Sequence, residues 1–197
     1  PKKAHRDFLA LLNDTMKTTP IKGSGNFPHR GYMLMKMKPD WTYTEPRYDY
    51  TRVIEFTKKT EPIWLIFSGM GSQWTGMGKE LMKLDIFRRS VEASAQVLKP
   101  YQVDLLRLIQ CDDDSVWREQ VVHPFVAITA MQIALFDIVN QLELPIAGVI
   151  GHSFGEIACA YADGCLSAEQ AILTSYWRGK AVQDTELPKG RAIITNY

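Results

Sequence analysis

Cysteine is scarce in this chain: Cys111, Cys159 and Cys165 are the only three in 197 residues, an odd number with no CxxC spacing. That excludes a disulfide-stapled fold and a cysteine-ligated zinc module, and it points to a reducing compartment, the cytoplasm. Cys159 and Cys165 fall in a mostly apolar stretch and read as small buried hydrophobes. An excess of either charge is missing too. Twenty-three Lys and Arg against 22 Asp and Glu leave a net charge of +1, which argues against nucleic acid or an anionic membrane as partner. The basic runs at Pro1–Lys3 and Met35–Lys38 read as solvated loops. No continuous apolar run reaches the roughly 18 residues of a membrane span, and no basic-then-apolar leader opens the chain. The Asp112–Asp114 run offers no metal site that other residues complete, so a solvated turn is expected and no metal is implied. What is present, 46% hydrophobic and 23% charged residues, is ordinary for one globular domain, or one domain plus an extension.

Along the chain, residues 4–17 carry Phe8, Leu11, Leu12 and Met16 at helical spacing, and Pro20 ends that helix. From Thr18 to about Thr60 the composition turns to Gly, Pro, Lys, Tyr and Thr. Within it Arg30–Met35 reads as a short strand and Trp41–Tyr50 as a linker packed by aromatics. The character changes at Pro62. Ile63–Phe67 is an apolar run expected to form a strand buried on both faces, and a glycine-rich loop, Ser68–Gly78, follows it. Helical patterns cover Ile86–Leu98 and Asp104–Ile109, then an acidic turn, then a long amphipathic helix from Pro124 to about Leu142. A second apolar strand, Ile146–Ile150, leads into Gly151-His152-Ser153-Phe154-Gly155, and helices at Glu156–Asp163 and Ser167–Thr185 are separated by Gly164. Strands alternating with helices predict an α/β architecture with a parallel sheet flanked by helices, preceded by a linker segment.

Gly151–Gly155 fits G-x-S-x-G, a serine at a tight strand-to-helix turn with glycines two before and two after. Such a turn projects the Ser153 hydroxyl outward, and the N–H of Phe154 is placed to stabilise an oxyanion. The short apolar strand before it and the small-residue helix after it (Ala158, Cys159, Ala160, Ala162) supply the required context. Adjacent side chains in the turn point apart, so His152 reads as a structural, hydrogen-bonded histidine rather than the base. Gly69-Met70-Gly71-Ser72-Gln73 follows the first strand. A dinucleotide loop needs glycine where Trp74 stands, and a P-loop needs Lys then Ser or Thr where Met77 and Gly78 stand. The alternatives are an ordinary tight loop or a loop whose Met70 N–H is a second oxyanion donor. Arg178 follows Ser153 by 25 residues. By spacing alone it reads as a surface arginine, and a two-helix turn at Gly164 offers the other reading, a bidentate carboxylate site above the elbow. His123 reads as a packing residue at a helix entry.

Gly-Met-Gly-Ser-Gln-Trp, Gly-His-Ser-Phe-Gly-Glu, Tyr-Ala-Asp-Gly-Cys-Leu-Ser and Tyr-Trp-Arg-Gly, in this order, resemble the malonyl/acetyl transferase domain of animal fatty acid synthases; polyketide synthase acyltransferases share the looser pattern. Leu11–Asn13-Asp14 and Arg30–Tyr32 resemble the linker from ketosynthase to acyltransferase. The resemblance implies a division into residues 1–60, the end of that linker, and 61–197, the front of an α/β-hydrolase-like acyltransferase core. It implies Ser153 as the catalytic nucleophile, Met70 and Phe154 as oxyanion amides, and Arg178 as the group that holds a malonyl carboxylate. Substrates would be malonyl- and acetyl-coenzyme A, and partners the phosphopantetheine of an acyl carrier protein and a neighbouring ketosynthase in a homodimeric parent, with no cofactor bound. Phe154 stands where the family has a smaller aliphatic residue, which would narrow the acyl pocket. The family's catalytic histidine, in a His-Ser motif far beyond the serine, and its ferredoxin-like subdomain have no counterpart before Tyr197, and the chain opens on Pro1. The expectation is therefore a piece of a longer enzyme, inactive alone, with a scaffold-only fragment and a serine thioesterase as rival readings.

Overall fold

The computed structural model describes residues 6–18, 29–33, 51–55 and 62–185. The chain divides into two compact units, Pro1–Thr60 and Glu61–Tyr197. In the first, α1 (Arg6–Thr18) forms where the helical spacing placed it, and its Phe8, Leu11 and Leu12 are exposed. Strand β1 (His29–Met33) pairs antiparallel with β2 (Thr51–Glu55), Gly31 opposite Val53. The sequence reading anticipated the first strand, shifted by a residue or two, and not the second. Thr51-Arg-Val-Ile-Glu is rich in β-branched residues but too short to stand out from its surroundings. The linker reading of Trp41–Tyr50 lies outside the described residues.

The second unit is built on two parallel strands, β3 (Ile63–Phe67) and β4 (Ile146–Gly151), with Phe67 opposite Gly151. Between them in sequence run α2 (Asp85–Leu98), α3 (Leu105–Gln110), α4 (Val116–Glu119) and α5 (Val122–Asn140). After β4 come α6 (Glu156–Ala162) and α7 (Ala168–Asp184). Parallel neighbours need such a crossover, because a tight turn cannot return the chain to the same end of the sheet. The four-residue α4 is too short to show a period and was not foreseen.

Helix α5 is the centre of the unit. Every residue from Val122 to Ala134 is buried, because α2, α3, α4, α6 and α7 all pack against it. The expectation of an amphipathic helix is corrected: a helix enclosed by neighbours is apolar all round. Pro124 is tolerated because it stands in the first turn, where its missing N–H has no intrahelical partner to lose. By length and composition α5 would also span a membrane, contrary to the sequence reading, but 67% of that stretch is buried inside the protein. Around it Phe87, Val91, Leu98, Leu105, Ile109 and Ile172 form the core. At about 25 cal/mol per Å² of apolar surface, burying each of these stabilises the fold by roughly 1.5–3 kcal/mol. The sheet departs from the reading in one respect. Phe67 is buried, but Trp64 is 56% and Ile66 74% exposed, so β3 presents one covered face and one open face among the described residues.

Helix α7 starts on a capping box, Ser167 Oγ accepting from the Gln170 N–H while the Gln170 side chain accepts from the Ser167 N–H. It crosses α5 closely at Gly179, where a Cβ would lie 3.0 Å from Val122 Cα and 3.2 Å from Phe125 Cγ. The Thr129 and Ser175 hydroxyls, both fully buried, join the two helices at 2.7 Å.

Candidate active site

Where β4 ends the chain reverses within three residues. His152 is extended, Ser153 takes the left-handed conformation at φ +54, and a single 3₁₀ turn, Ser153–Gly155, feeds α6. A non-glycine residue there costs roughly 1–2 kcal/mol and persists only where its surroundings fix it. Here they do. The His152 N–H donates to Phe67 O at 2.9 Å, and the Gly155 N–H to His152 O at 2.8 Å. The flanking glycines do more than keep side chains clear. A Cβ on Gly151 would lie 2.4 Å from Glu156 Cα, and one on Gly155 only 2.2 Å from Phe67 O. The start of α6 folds back onto the first, and the end of β3 presses on the second. Ser153 itself is exposed.

The loop after β3 reaches the same place. A Cβ on Gly69 would lie 2.9 Å from His152 O and 3.2 Å from Ser153 Cβ, so the loop backbone abuts the serine turn directly. Ser72 Oγ donates to Gly69 O at 2.9 Å, and the Gly71 N–H to Gln73 Oε1 at 3.0 Å, with Gly71 at φ +94. Gln132 Nε2 donates to Ser68 O at 2.7 Å. Among the described residues neither the Met70 nor the Phe154 N–H donates to another backbone group or a side chain. The structure thus brings Met70, Ser153 and Phe154 to the C-terminal ends of two adjacent parallel strands.

Arg178 also arrives here. The turn at Gly164, φ +79, lets α7 return along α6, and the Arg178 guanidinium carbon stands 5.6 Å from the centre of the Phe154 ring. That ring is buried and meets Phe125 edge-on at 4.5 Å. Arg178 is exposed and makes no ion pair among the described residues. Its forked donors are therefore open to a carboxylate, a geometry that spacing alone did not establish.

The remaining candidates separate cleanly. His123 is buried, and its Nδ1 donates to Val116 O at 2.7 Å, the helix-entry role expected of it. His152 is exposed and its imidazole makes no hydrogen bond among the described residues, which corrects the hydrogen-bonded reading; its backbone does the bonding instead. Neither histidine bonds Ser153 Oγ. Cys165 is exposed and Cys159 only partly covered, against the expectation of two buried thiols. Burial raises the Cys159 thiol pKa, and the Asp163 carboxylate raises that of Cys165, so neither is a ready thiolate competing with the serine. The acidic turn is engaged locally: Asp112 with Lys79, Asp113 with Ser115, Asp114 with Arg118. Gln132 and Phe125 escaped the sequence reading. The signal for the first was a lone glutamine within an apolar helix.

A family model described as acyl transferase domain matches residues 64–196. The chain belongs to the acyl transferase domain family. It is 33% identical over 192 residues to the highly reducing polyketide synthase FUM1 of Gibberella moniliformis, covering 90% of this chain and 7% of that protein. It is 37% identical to the squalestatin hexaketide synthase of a Phoma species, over 66% of this chain and 5% of that one. The chain thus spans a small part of the curated relatives it matches. Among solved structures, the acyl transferase domain of ZmaA superposes with a TM-score of 0.63 at 22% identity, covering 74% of this chain and 35% of that one. The malonyl CoA-acyl carrier protein transacylase of Coxiella burnetii gives 0.57 at 27%, covering 64% and 39%. The α/β fold class expected from the sequence is therefore that of the acyl transferase core. These two curated relatives are fungal polyketide synthases, so the assignment to the family does not extend to animal fatty acid synthases.

Proposed function

We propose that this acyl transferase chain carries the nucleophile of an enzyme that moves malonyl-type acyl groups from coenzyme A to an acyl carrier protein. The observation that carries the reading is Ser153, strained at φ +54 between Gly151 and Gly155 and abutted by the loop that leads into Met70, with the Met70 and Phe154 N–H groups unpaired among the described residues. Ser153 Oγ attacks the thioester carbonyl, the C–O bond forms, and the C–S bond breaks to release coenzyme A as its thiol. The Met70 and Phe154 N–H groups take the charge on the tetrahedral oxygen. The carrier's phosphopantetheine thiol then attacks the acyl-serine ester and regenerates the hydroxyl. Arg178 pairs with the free carboxylate of the malonyl group. Neither His123 nor His152 hydrogen-bonds Ser153 Oγ, so neither is assigned as the base that removes its proton. No metal or bound cofactor enters the scheme.

The relatives favour a polyketide-type synthase as the setting. A second reading, the malonyl/acetyl transferase of an animal-type fatty acid synthase, draws on the Gly-Met-Gly-Ser-Gln and Tyr-Ala-Asp-Gly-Cys segments. In it residues 1–60 are the end of a linker from a ketosynthase neighbour. Both settings use the same loading reaction. A serine thioesterase is disfavoured by Arg178, since a neutral acyl chain gives a carboxylate-binding arginine nothing to pair with.

The test is transfer of label from malonyl-coenzyme A to holo carrier protein by the full-length protein. Label on the phosphopantetheine arm, absent with apo carrier, is the expected result. Release of free malonate at the same rate with or without carrier would establish a hydrolase instead, and a protein inert in both assays would establish a scaffold.

A further inference from the structure

Gln132 stands out within α5. It is 9% exposed on a helix whose residues from Val122 to Ala134 are all buried. Its Nε2 reaches 64 residues back to donate to Ser68 O at 2.7 Å, with Ser68 Oγ at 3.3 Å. Its Oε1 is buried and has no partner among the described residues. An orphaned buried acceptor is destabilising, so stability alone would be served better by a methionine or leucine at this position. The one thing this side chain supplies is its donor.

The carbonyl it holds is at a junction. A Cβ on Gly155 would lie 2.7 Å from Ser68 O as well as 2.2 Å from Phe67 O. The Ser68 peptide therefore lies against the serine turn on one side and is anchored from α5 on the other. Ser72 Oγ engages the next carbonyl, Gly69 O. Both carbonyls are engaged, and the Met70 N–H that follows donates to no group among the described residues. We propose that Gln132 is a positioning residue: its amide fixes the Ser68–Met70 backbone against the serine turn, and so sets the distance between the Met70 N–H and the oxyanion formed at Ser153. This rests on the acyl-transfer reading above.

The test compares Gln132→Met, similar in length but without a donor, and Gln132→Glu with wild type in the full-length protein. The readout is Ser153 acylation from malonyl-coenzyme A, with folding followed by thermal melt. Loss of a whole oxyanion donor costs about 10²–10³ in kcat, and a displaced one is expected to cost at least about tenfold. The account predicts such a fall in kcat for Gln132→Met with KM for malonyl-coenzyme A unchanged, because no contact to the substrate is removed. Gln132→Glu can donate to Ser68 O only when protonated, so its rate relative to wild type should rise as pH falls, while the Gln132→Met ratio stays flat. A folded Gln132→Met enzyme with wild-type kcat would overturn the proposal, as would a kcat loss matched by an equal change in KM. Should Gln132→Met fail to fold, a pH-independent Gln132→Glu ratio overturns it. Wild-type protein that never acylates Ser153 is a different failure, one of the acyl-transfer reading itself.

Discussion

Ser153 holds a left-handed backbone at φ +54 that glycine would adopt without strain. Replacing it therefore separates chemistry from conformation. Ser153→Ala removes the hydroxyl and keeps the strain, whereas Ser153→Gly removes both. The strain is about 1–2 kcal/mol, offset in part by the greater unfolded-state freedom of glycine. Ser153→Gly is expected to melt a few degrees above Ser153→Ala, near the ~2–4 °C per kcal/mol of a chain this size. Equal melting temperatures would mean that the turn is unstrained. Arg178 sits against the Phe154 ring with no ion pair among the described residues. Arg178→Ala should reduce malonyl loading while sparing acetyl loading. A charge-assisted hydrogen bond is worth roughly 1.5–3 kcal/mol, or about ten- to hundredfold in preference. Equal losses with both thioesters, measured as initial rates, would make Arg178 structural.

At the scale of elements, the site depends on how closely α7 crosses α5. Any side chain at Gly179 meets Val122 and Phe125, and Phe125 in turn packs edge-on against Phe154. Gly179→Leu is expected to destabilise the fold by about 1–3 kcal/mol through overpacking and to slow acyl loading, since it displaces the ring beneath Arg178. Denaturant unfolding paired with loading rates checks both. A second element-scale contact ties α3 to α4, where Arg107 meets Glu119 at 2.9 and 2.6 Å. The hydrogen bond from Arg107 holds the Glu119 pKa below its ordinary value. A depressed carboxylate contributes stability above its unfolded pKa, near 4.3, and loses it as pH falls through the folded value. The melting difference between wild type and Glu119→Gln should be present near neutrality and vanish in acid. The pair is exposed, so that difference is small.

The same elements explain how much could be read in advance. Strands β3 and β4 were legible because short apolar runs end in glycine, and Ser153 because its glycines recur at fixed spacing. Helix α7 announced itself through the helical stretch from Ser167 and the break at Gly164. Composition hid what packing decides. Nothing local says that Trp64 and Ile66 face outward, or that α5 is enclosed from Val122 to Ala134. Nothing local says that Gln132 bonds a carbonyl 64 residues away. Arg178 was visible as a residue, but its place above Phe154 depends on the angle of a two-helix turn.

At the scale of the whole molecule, one face of the second unit gathers the candidate site residues that the structure describes. The loop after β3, the turn after β4 and the return of α7 all converge beyond the C-terminal ends of two parallel strands, where open α/β sheets place their ligands. A net charge of +1 gives the chain no strong general field, so on the proposed reading an anionic thioester would be drawn in locally, by Arg178. The central claim is that Ser153 accepts an acyl group from a coenzyme A thioester. The most direct measurement is mass spectrometry of the peptide containing Ser153, after brief exposure of the full-length protein to malonyl-coenzyme A and an acid quench. The account predicts a malonyl ester on Ser153 that hydroxylamine removes and that Ser153→Ala abolishes. A label located on any other residue, or one that persists in Ser153→Ala, would contradict it.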